Sequence, residues 1–264
     1  MNIHEEMKKY GIRPSKYRDQ HFLQDEGWQK RIVFFADLKD EDRVLEIGAG
    51  LGNLTEEIAR KTRVYAVERD RNLADVLRIK DMENVEVIEE DILEIDLEEL
   101  DFNKVVSNLP YSISTPITFK LLEEDWETAV LVYQKEFAER MVAEPGSSDY
   151  SRLSLAINYY CETQLLDTIP ADKYYPKPEV DSAIVRLKKK DVEAKSDRFW
   201  KIVKAAFQHR KKKLKNSLKD SSHMLRIEEE EIKDLEDELP DKRTFQCDVR
   251  DFEKVEELFR SREE

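Results

Sequence analysis

The sequence predicts an α/β protein in which a mainly parallel sheet is followed by a smaller helical domain. Four short apolar segments, at 44–47, 63–67, 85–88 and 104–107, are separated by segments in which apolar residues recur with helical spacing. Strands that alternate with helices in this way form parallel βαβ units. From about residue 191 onward only the helical spacing recurs. A length of 264 residues is enough for about two domains of ordinary size.

Charge and cysteine usage narrow the class of protein. The formal net charge of −14 argues against a nucleic-acid partner for the chain as a whole, although basic runs at 1–18 and 210–219 depart from this average. Cys161 and Cys247 are far apart and lack a CxxC or Cys/His pattern, so we expect neither a disulfide framework nor a metal site. The compartment is expected to be reducing.

The N-terminal region is predicted to be a basic arm. It lacks a signal-peptide pattern, and no run of about 18 apolar residues could span a bilayer, so a cytoplasmic protein is expected. The arm covers residues 1–18 and is predicted to be irregular and partly mobile. Its cations are Lys8, Lys9, Arg13, Lys16 and Arg18.

Next comes Gln20-His21-Phe22-Leu23, which precedes a helix predicted at 24–35. Two interpretations of this segment remain open. Its polar side chains either cap the helix or line the edge of a cofactor pocket.

The strongest local signal is a strand that runs into closely spaced glycines. The strand at 44–47 is followed by Gly48, Gly50 and Gly52, and a helix begins near Leu54. Glycines let a backbone approach a ligand closely. Asn53 occupies the position where a dinucleotide fingerprint has Gly or Ala, which argues against NAD. The segment predicts a nucleotide-like cofactor at this turn.

Acidic side chains follow the second and third predicted strands. Glu68 ends the second strand and can accept hydrogen bonds from both hydroxyls of a ribose. Asp91 ends the third strand and can accept from an exocyclic adenine amine, while Ile92 can pack on the ring. A solvated carboxylate is the alternative for either acid. Together with the glycines, they predict a nucleoside at one edge of the sheet.

The fourth strand delivers Asn108-Leu109-Pro110-Tyr111 to the same edge. An amide, a fixed turn and an aromatic ring in sequence can hold a planar amine by hydrogen bonds and stacking. An ordinary turn is the alternative, since Asn and Pro are common in turns. With a cofactor predicted beside it, the segment indicates a nucleobase pocket.

These motifs carry a family resemblance. E-x-G-x-G-x-G with Glu68, Asp91 and N-L-P-Y resembles class I S-adenosyl-L-methionine (SAM) methyltransferases that modify the N6 amine of adenine. The segments 20–23, 134–140 and 150–154, and Y-x-P-x-P-x-V-x-S at 174–182, look like the KsgA/Dim family of ribosomal RNA adenine dimethyltransferases. The likeness runs from about residue 19 to 216. It implies a Rossmann-like sheet of seven strands with the last antiparallel, a methyltransferase domain at 19–190 and a helical RNA-binding domain at 191–264.

The resemblance also implies roles for individual residues. Tyr175, on a proline-stiffened loop, is expected to stack on the base opposite Tyr111; the family has Phe there, and Gly in place of Asp19. Glu46 is expected to order the glycine loop. The implied catalytic residues are Asn108, Leu109, Pro110, Tyr111 and Tyr175. The implied SAM-binding residues are Gln20, His21, Leu23, Gly48, Gly50, Glu68, Asp91, Ile92 and Asn108.

Downstream, the run that contains Arg210, Lys211, Lys212 and Lys213 is followed by acidic stretches from residue 227. A charge run is often only a solvated surface. The spacing F-x-x-R-[RK]-K-x-L-x-N, however, resembles the small domain by which the family faces RNA. It therefore predicts a phosphate-binding surface.

The resemblance implies dimethylation of the N6 amines of two adjacent adenosines in a 3′-terminal hairpin loop of small-subunit (16S) rRNA, with SAM as methyl donor. The expected partner is small-subunit rRNA within a pre-ribosomal small subunit, and the expected state is a monomer. No general base is evident, and none is needed before attack. Two rival functions are an RNA-binding assembly factor with a vestigial site and an adenine methyltransferase for DNA or large-subunit rRNA.

Overall fold

The structure is a computed structural model that describes residues 3–14 and 20–261. Its contacts divide the chain into two compact units. The first comprises Met1–Ala138 with Glu162–Lys189, and the second comprises Glu139–Cys161 with Lys190–Glu264. The predicted domain limits of 19–190 and 191–264 stay a proposal.

A sheet of seven strands forms the centre of the first unit, which confirms the predicted fold class. The strands are β1 (Phe22–Leu23), β2 (Arg43–Ile47), β3 (Arg63–Val67), β4 (Val85–Ile88), β5 (Lys104–Asn108), β6 (Thr128–Gln134), β7 (Cys161–Ile169), β8 (Tyr174–Tyr175) and β9 (Ser182–Lys189). The order in the sheet is β4-β3-β2-β5-β6-β9-β7; the neighbours from β4 to β6 are parallel, and β9 is antiparallel to β6.

Helices follow most strands of this sheet and supply the second unit. Within the described residues they are α1 (Ile3–Tyr10), α2 (Glu26–Ala36), α3 (Asn53–Ala59), α4 (Arg71–Lys80), α5 (Ser114–Glu123), α6 (Lys135–Met141), α7 (Arg152–Tyr160), α8 (Asp197–Phe207), α9 (Leu214–Asp220), α10 (Ser222–Leu225), α11 (Glu229–Asp234) and α12 (Val249–Arg260). None of the helices in these residues is long and apolar enough to cross a membrane.

The central strands are buried on both faces, as continuous apolar runs predict for a parallel sheet covered by helices. Val44, Leu45 and Val105 are fully buried. Because β3 and β4 lie on one side of β2 while β5 and β6 lie on the other, the direction of winding reverses between β2 and β5. Ligands of open α/β sheets bind outside the carboxyl ends of the strands at such a reversal. The glycine turn and Asn108 therefore flank the expected crevice.

A two-stranded sheet joins segments that are far apart in sequence. In it β1 pairs antiparallel with β8, so that Phe22 is opposite Tyr175 and Leu23 is opposite Tyr174. Gln29 in α2 donates a hydrogen bond to the Leu23 carbonyl at 2.7 Å. This small sheet holds the N-terminal segment against the first unit.

The prediction of an irregular arm is wrong for residues 3–10, which form α1. Ile3 and Met7, one helical turn apart, are buried against Leu51 and the α4 residues Leu73 and Val76. The heavy charge of this segment hid a narrow apolar stripe, which is all that a short helix needs when a neighbouring surface covers it. Lys16 and Arg18, like Asp19, lie outside the described residues.

The second unit has its own apolar core. Phe199 in α8 and Phe252 in α12 are fully buried there, with ring centroids 6.4 Å apart. The hydroxyl of Ser196 caps α8 by accepting from the Phe199 amide at 3.0 Å. Tyr150 belongs to the same cluster, which ties the segment before α7 to the C-terminal helices.

Candidate active site

A cavity of 630 Å³ lies in the first unit at the carboxyl ends of the central strands. This volume suits a cofactor-sized ligand. Its lining brings together all of the residues predicted to bind the cofactor. These are Gln20, His21, Leu23, Gly48, Gly50, Glu68, Asp91, Ile92 and Asn108. Leu109, Pro110 and Tyr111 line the same cavity.

The glycine turn is shaped by backbone conformation and by close packing. Gly48 and Gly50 have φ angles of 73° and 60°, in the left-handed region. A Cβ atom on Gly48 would lie 3.0 Å from the ring of Pro110, and one on Gly50 would lie 3.2 Å from the ring of Phe22. A side chain at Gly48 would therefore displace Pro110, and one at Gly50 would displace Phe22.

Glu68 organises the glycine turn. Its Oε2 accepts a hydrogen bond from the Gly50 amide at 2.9 Å, and its Oε1 accepts from the Asp70 amide at 2.8 Å. Burial raises the pKa of this carboxyl, and the two backbone hydrogen bonds oppose that rise. Each oxygen keeps a further lone pair, so Glu68 can hold the turn and still accept from a ribose hydroxyl.

Asp91 and Ile92 lie at the end of β4. Asp91 Oδ1 accepts from the Leu93 amide at 3.0 Å, and Oδ2 is 3.6 Å from the Arg69 guanidinium. Ile92 is buried and lines the cavity. The carboxylate is thus fixed in place while retaining acceptor capacity.

Glu68, rather than Glu46, accepts the hydrogen bond from the Gly50 amide. The expectation that Glu46 orders the glycine loop stays a prediction. Glu46 lines the cavity and is 2 % exposed, and its Oε2 has no hydrogen-bond partner in the described part of the chain. Burial raises the pKa of the Glu46 carboxyl to about 8; the neighbouring Thr55 hydroxyl opposes this rise, and the charge of Glu68 adds a smaller contribution to it. Thr55 Oγ1, which is buried close to this carboxyl, likewise has no hydrogen-bond partner among the described residues.

Asn108 ends β5 at the cavity. Its Oδ1 accepts a hydrogen bond from the hydroxyl of Tyr174 at 3.3 Å. The preceding Ser107 donates its hydroxyl to the Ile47 carbonyl, which ties β5 to β2 next to the glycine turn. Leu109 is 2 % exposed, so its side chain anchors the segment in the core.

Tyr111 lies between His21 and β9. Its ring stacks with that of His21 at a centroid distance of 5.8 Å and an interplanar angle of 27°. Its hydroxyl forms a 2.6 Å hydrogen bond with the hydroxyl of Ser182. His21 in turn forms a 2.7 Å hydrogen bond between Nδ1 and the Pro176 carbonyl. Tyr111 and His21 therefore form one fixed aromatic wall.

Tyr175 does not occupy the place predicted for it. It is absent from the residues that line the cavity, and its ring lies 4.1 Å from the ring of His4 in α1. Successive side chains on a strand point in opposite directions, so Tyr174, not Tyr175, is the residue directed at Asn108.

The four cations of the basic run at 210–213 differ in how far they are engaged by other groups of the protein. The guanidinium of Arg210 donates to the carbonyls of Ser148 at 2.5 Å and Tyr150 at 3.0 Å, within the second unit. Two of its lysines form ion pairs, Lys212 with Asp220 at 2.5 Å and Lys213 with Asp241 at 2.7 Å. Lys211 is exposed and has no ion-pair partner among the described residues. RNA binding by this run stays a prediction.

Comparison with known proteins adds independent information. The family model described as "Ribosomal RNA adenine dimethylase" matches residues 14–245. A probable ribosomal RNA small subunit methyltransferase A from Thermococcus sibiricus is 43% identical over 97% of this chain and 95% of its own length. The protein of the same description from Methanothermobacter thermautotrophicus is 45% identical over 96% of this chain and 93% of its own.

Two solved structures of related methyltransferases are similar to this chain over most of its length. A dimethyladenosine transferase from Plasmodium falciparum has a TM-score of 0.78 and 29% identity, covering 91% of this chain and 98% of its own. The 23S rRNA methyltransferase ErmE has a TM-score of 0.64 and 27% identity, covering 90% of this chain and 98% of its own.

Proposed function

Because this chain belongs to the ribosomal RNA adenine dimethylase family, we propose that it transfers methyl groups from SAM to the N6 amines of two adjacent adenosines in a hairpin loop near the 3′ end of small-subunit rRNA. One observation carries the proposal. The residues predicted to bind the cofactor line the same cavity as the segment Asn108–Tyr111, and Gly48 is packed against Pro110. Methyl donor and amine acceptor would therefore meet at the ends of β2 and β5.

The residues of the cavity fit SAM. Glu68 and Asp91 offer fixed carboxylates to a ribose and an exocyclic amine, and Ile92 offers an apolar surface to a purine ring. Glu46 also lines the cavity, and the positive charge of the methionine portion would favour the ionised form of its buried carboxyl. When bound, the cofactor supplies an electrophilic methyl group on a sulfonium.

The protein's contribution to the chemistry is orientation. The adenine amine is a weak nucleophile because its lone pair is delocalised into the ring. Asn108 Oδ1 and the Leu109 carbonyl would accept its two hydrogens, which favours a pyramidal nitrogen with an available lone pair. The amine would become acidic only after methylation, so no catalytic base is required before attack.

The substrate base has to leave its stack to reach this pocket, which is easiest in a loop. Tyr111 would stack on the extruded base. We further propose that the exposed lysines of the second unit contact RNA phosphates, that the substrate is a pre-ribosomal small subunit, and that the protein works as a cytoplasmic monomer. A monomethylated amine keeps one hydrogen, so a second transfer is chemically allowed.

The test compares radiolabelled methyl transfer by the wild type and Asn108→Ala to unmethylated small subunits, large subunits and duplex DNA. We expect the wild type to label small subunits, and Asn108→Ala to lose activity while RNA binding is retained. Asn84→Ala, at an exposed asparagine outside the cavity, is the matched control. Preferred labelling of DNA or of large subunits would show that the substrate is not the small subunit. Failure of the wild type to bind SAM would favour the rival function of an RNA-binding assembly factor without methyltransferase activity.

A further inference from the structure

Tyr174 contacts the residue on which the proposed reaction depends. It is 2 % exposed, and its hydroxyl is 3.3 Å from Oδ1 of Asn108. Tyr174 is paired with Leu23 in the small β1–β8 sheet, and this pairing fixes the backbone from which its side chain extends. It lies in the apolar cluster of the central sheet, where neighbouring side chains restrict its ring.

Two other hydroxyl groups adjoin this contact. Ser182, at the start of β9, is fully buried, and it bonds to the Tyr111 hydroxyl at 2.6 Å. Burial, with a further contribution from Tyr111, raises the pKa of Tyr174, so its hydroxyl keeps its proton throughout the neutral range. A protonated phenol can donate a hydrogen bond, whereas a phenolate cannot.

We propose that Tyr174 is a positioning residue for methyl transfer, whose hydroxyl holds the Asn108 carboxamide with Oδ1 available to the adenine amine. This inference rests on the proposed function of the same site and extends it to a residue outside the N-L-P-Y motif.

The orientation of the Asn108 carboxamide matters because one end is an oxygen that accepts hydrogen bonds and the other is an NH2 group that donates them. Only the oxygen of Asn108 can accept a hydrogen from the amine, since the NH2 group would oppose the amine with its own hydrogens. A hydrogen bond from Tyr174 occupies one lone pair of Oδ1 and leaves the other for the substrate. Without that donor, the amide is free to turn, and the proportion of productively aligned complexes falls.

Tyr174→Phe removes this hydroxyl while keeping the ring. We expect kcat for transfer to unmethylated small subunits to fall about tenfold, because alignment is lost in the bound complex. KM for the RNA and Kd for SAM are expected to stay within about twofold, because neither depends on the amide orientation.

Tyr133→Phe is the matched control. It also deletes a buried tyrosine hydroxyl with a hydrogen-bond partner, Thr118 at 2.9 Å, in the same unit and outside the cavity. Equal thermal destabilisation of the two variants, with loss of kcat only in Tyr174→Phe, would support positioning. If Tyr174→Phe keeps the wild-type kcat, or if both variants lose kcat in proportion to stability, the inference is overturned. An inactive wild type would instead reject the proposed function.

Discussion

Replacement of Glu46 by glutamine is expected to change how the stability of the protein depends on pH. The Glu46 carboxyl has a pKa of about 8 in the folded protein, against an ordinary value of 4.5, mainly because of its burial. Below pH 4.5 the group is protonated in both states. Between pH 4.5 and 8 it is ionised in the unfolded chain but protonated in the folded one, so ionisation favours unfolding and stability is lost as pH rises.

The size of the effect follows from the shift. Each pH unit within this range corresponds to about 1.4 kcal/mol, and the whole interval to roughly 4 to 5 kcal/mol. Glutamine resembles the protonated carboxyl but does not titrate. We therefore expect the unfolding free energy of the wild type to fall relative to that of Glu46→Gln by about 1.4 kcal/mol per unit between pH 5 and 8.

Urea unfolding of the full chain at several pH values, followed by a signal from the first unit, measures this difference. Glu83→Gln, at an exposed glutamate outside the cavity, controls for the loss of one negative charge. Saturating SAM is expected to reduce the pH dependence, because a nearby positive charge favours the ionised carboxylate. Parallel curves for the wild type and Glu46→Gln would refute the reasoning.

Three further predictions concern the glycine turn, the first helix and the basic run. Gly52→Ala is expected to destabilise the protein by about 1 to 3 kcal/mol in chemical unfolding, because its φ is 84° and a Cβ would lie 2.7 Å from a leucine methyl. Lys80→Met leaves the nearly buried carboxylate of Glu6 without its 2.6 Å partner, so α1 should become accessible to limited proteolysis, with a cost of about 3 kcal/mol. Replacing Lys211 and Lys212 by glutamine should flatten the slope of log affinity for RNA against log salt by about 1.5; an unchanged slope would assign these lysines to a solvated surface.

Much of the first unit could be predicted because local signals agreed with one another. The strands at 63–67, 85–88 and 128–134 are short, mainly apolar segments, and the limits expected for them match the structure. Their order along the chain placed Glu68, Asp91 and Asn108 at one edge of the sheet. The cavity lining confirms that these residues come together.

The remaining errors arose where a side chain's direction depends on a distant partner. Tyr174 and Tyr175 are indistinguishable by composition, and only the pairing of β8 with β1 shows which one faces Asn108. The bond from the Gly50 amide to Glu68 is of the same kind, because the sequence did not indicate which side chain would contact the glycine turn. Helix α1 was missed because its apolar stripe acquires meaning only against α4.

The pairing of β1 with β8 has a consequence for the order of events during synthesis. Phe22 and Leu23 are made early, yet their strand partners Tyr175 and Tyr174 lie about 150 residues further along the chain. Contacts of such separation form late, because a long loop has to close first. A nascent chain released before β8 would carry the glycine turn, Glu68, Asp91 and Asn108 but lack the strand that secures the N-terminal wall of the cavity. Competence to hold the methyl donor would therefore arise only near the end of translation of the first unit.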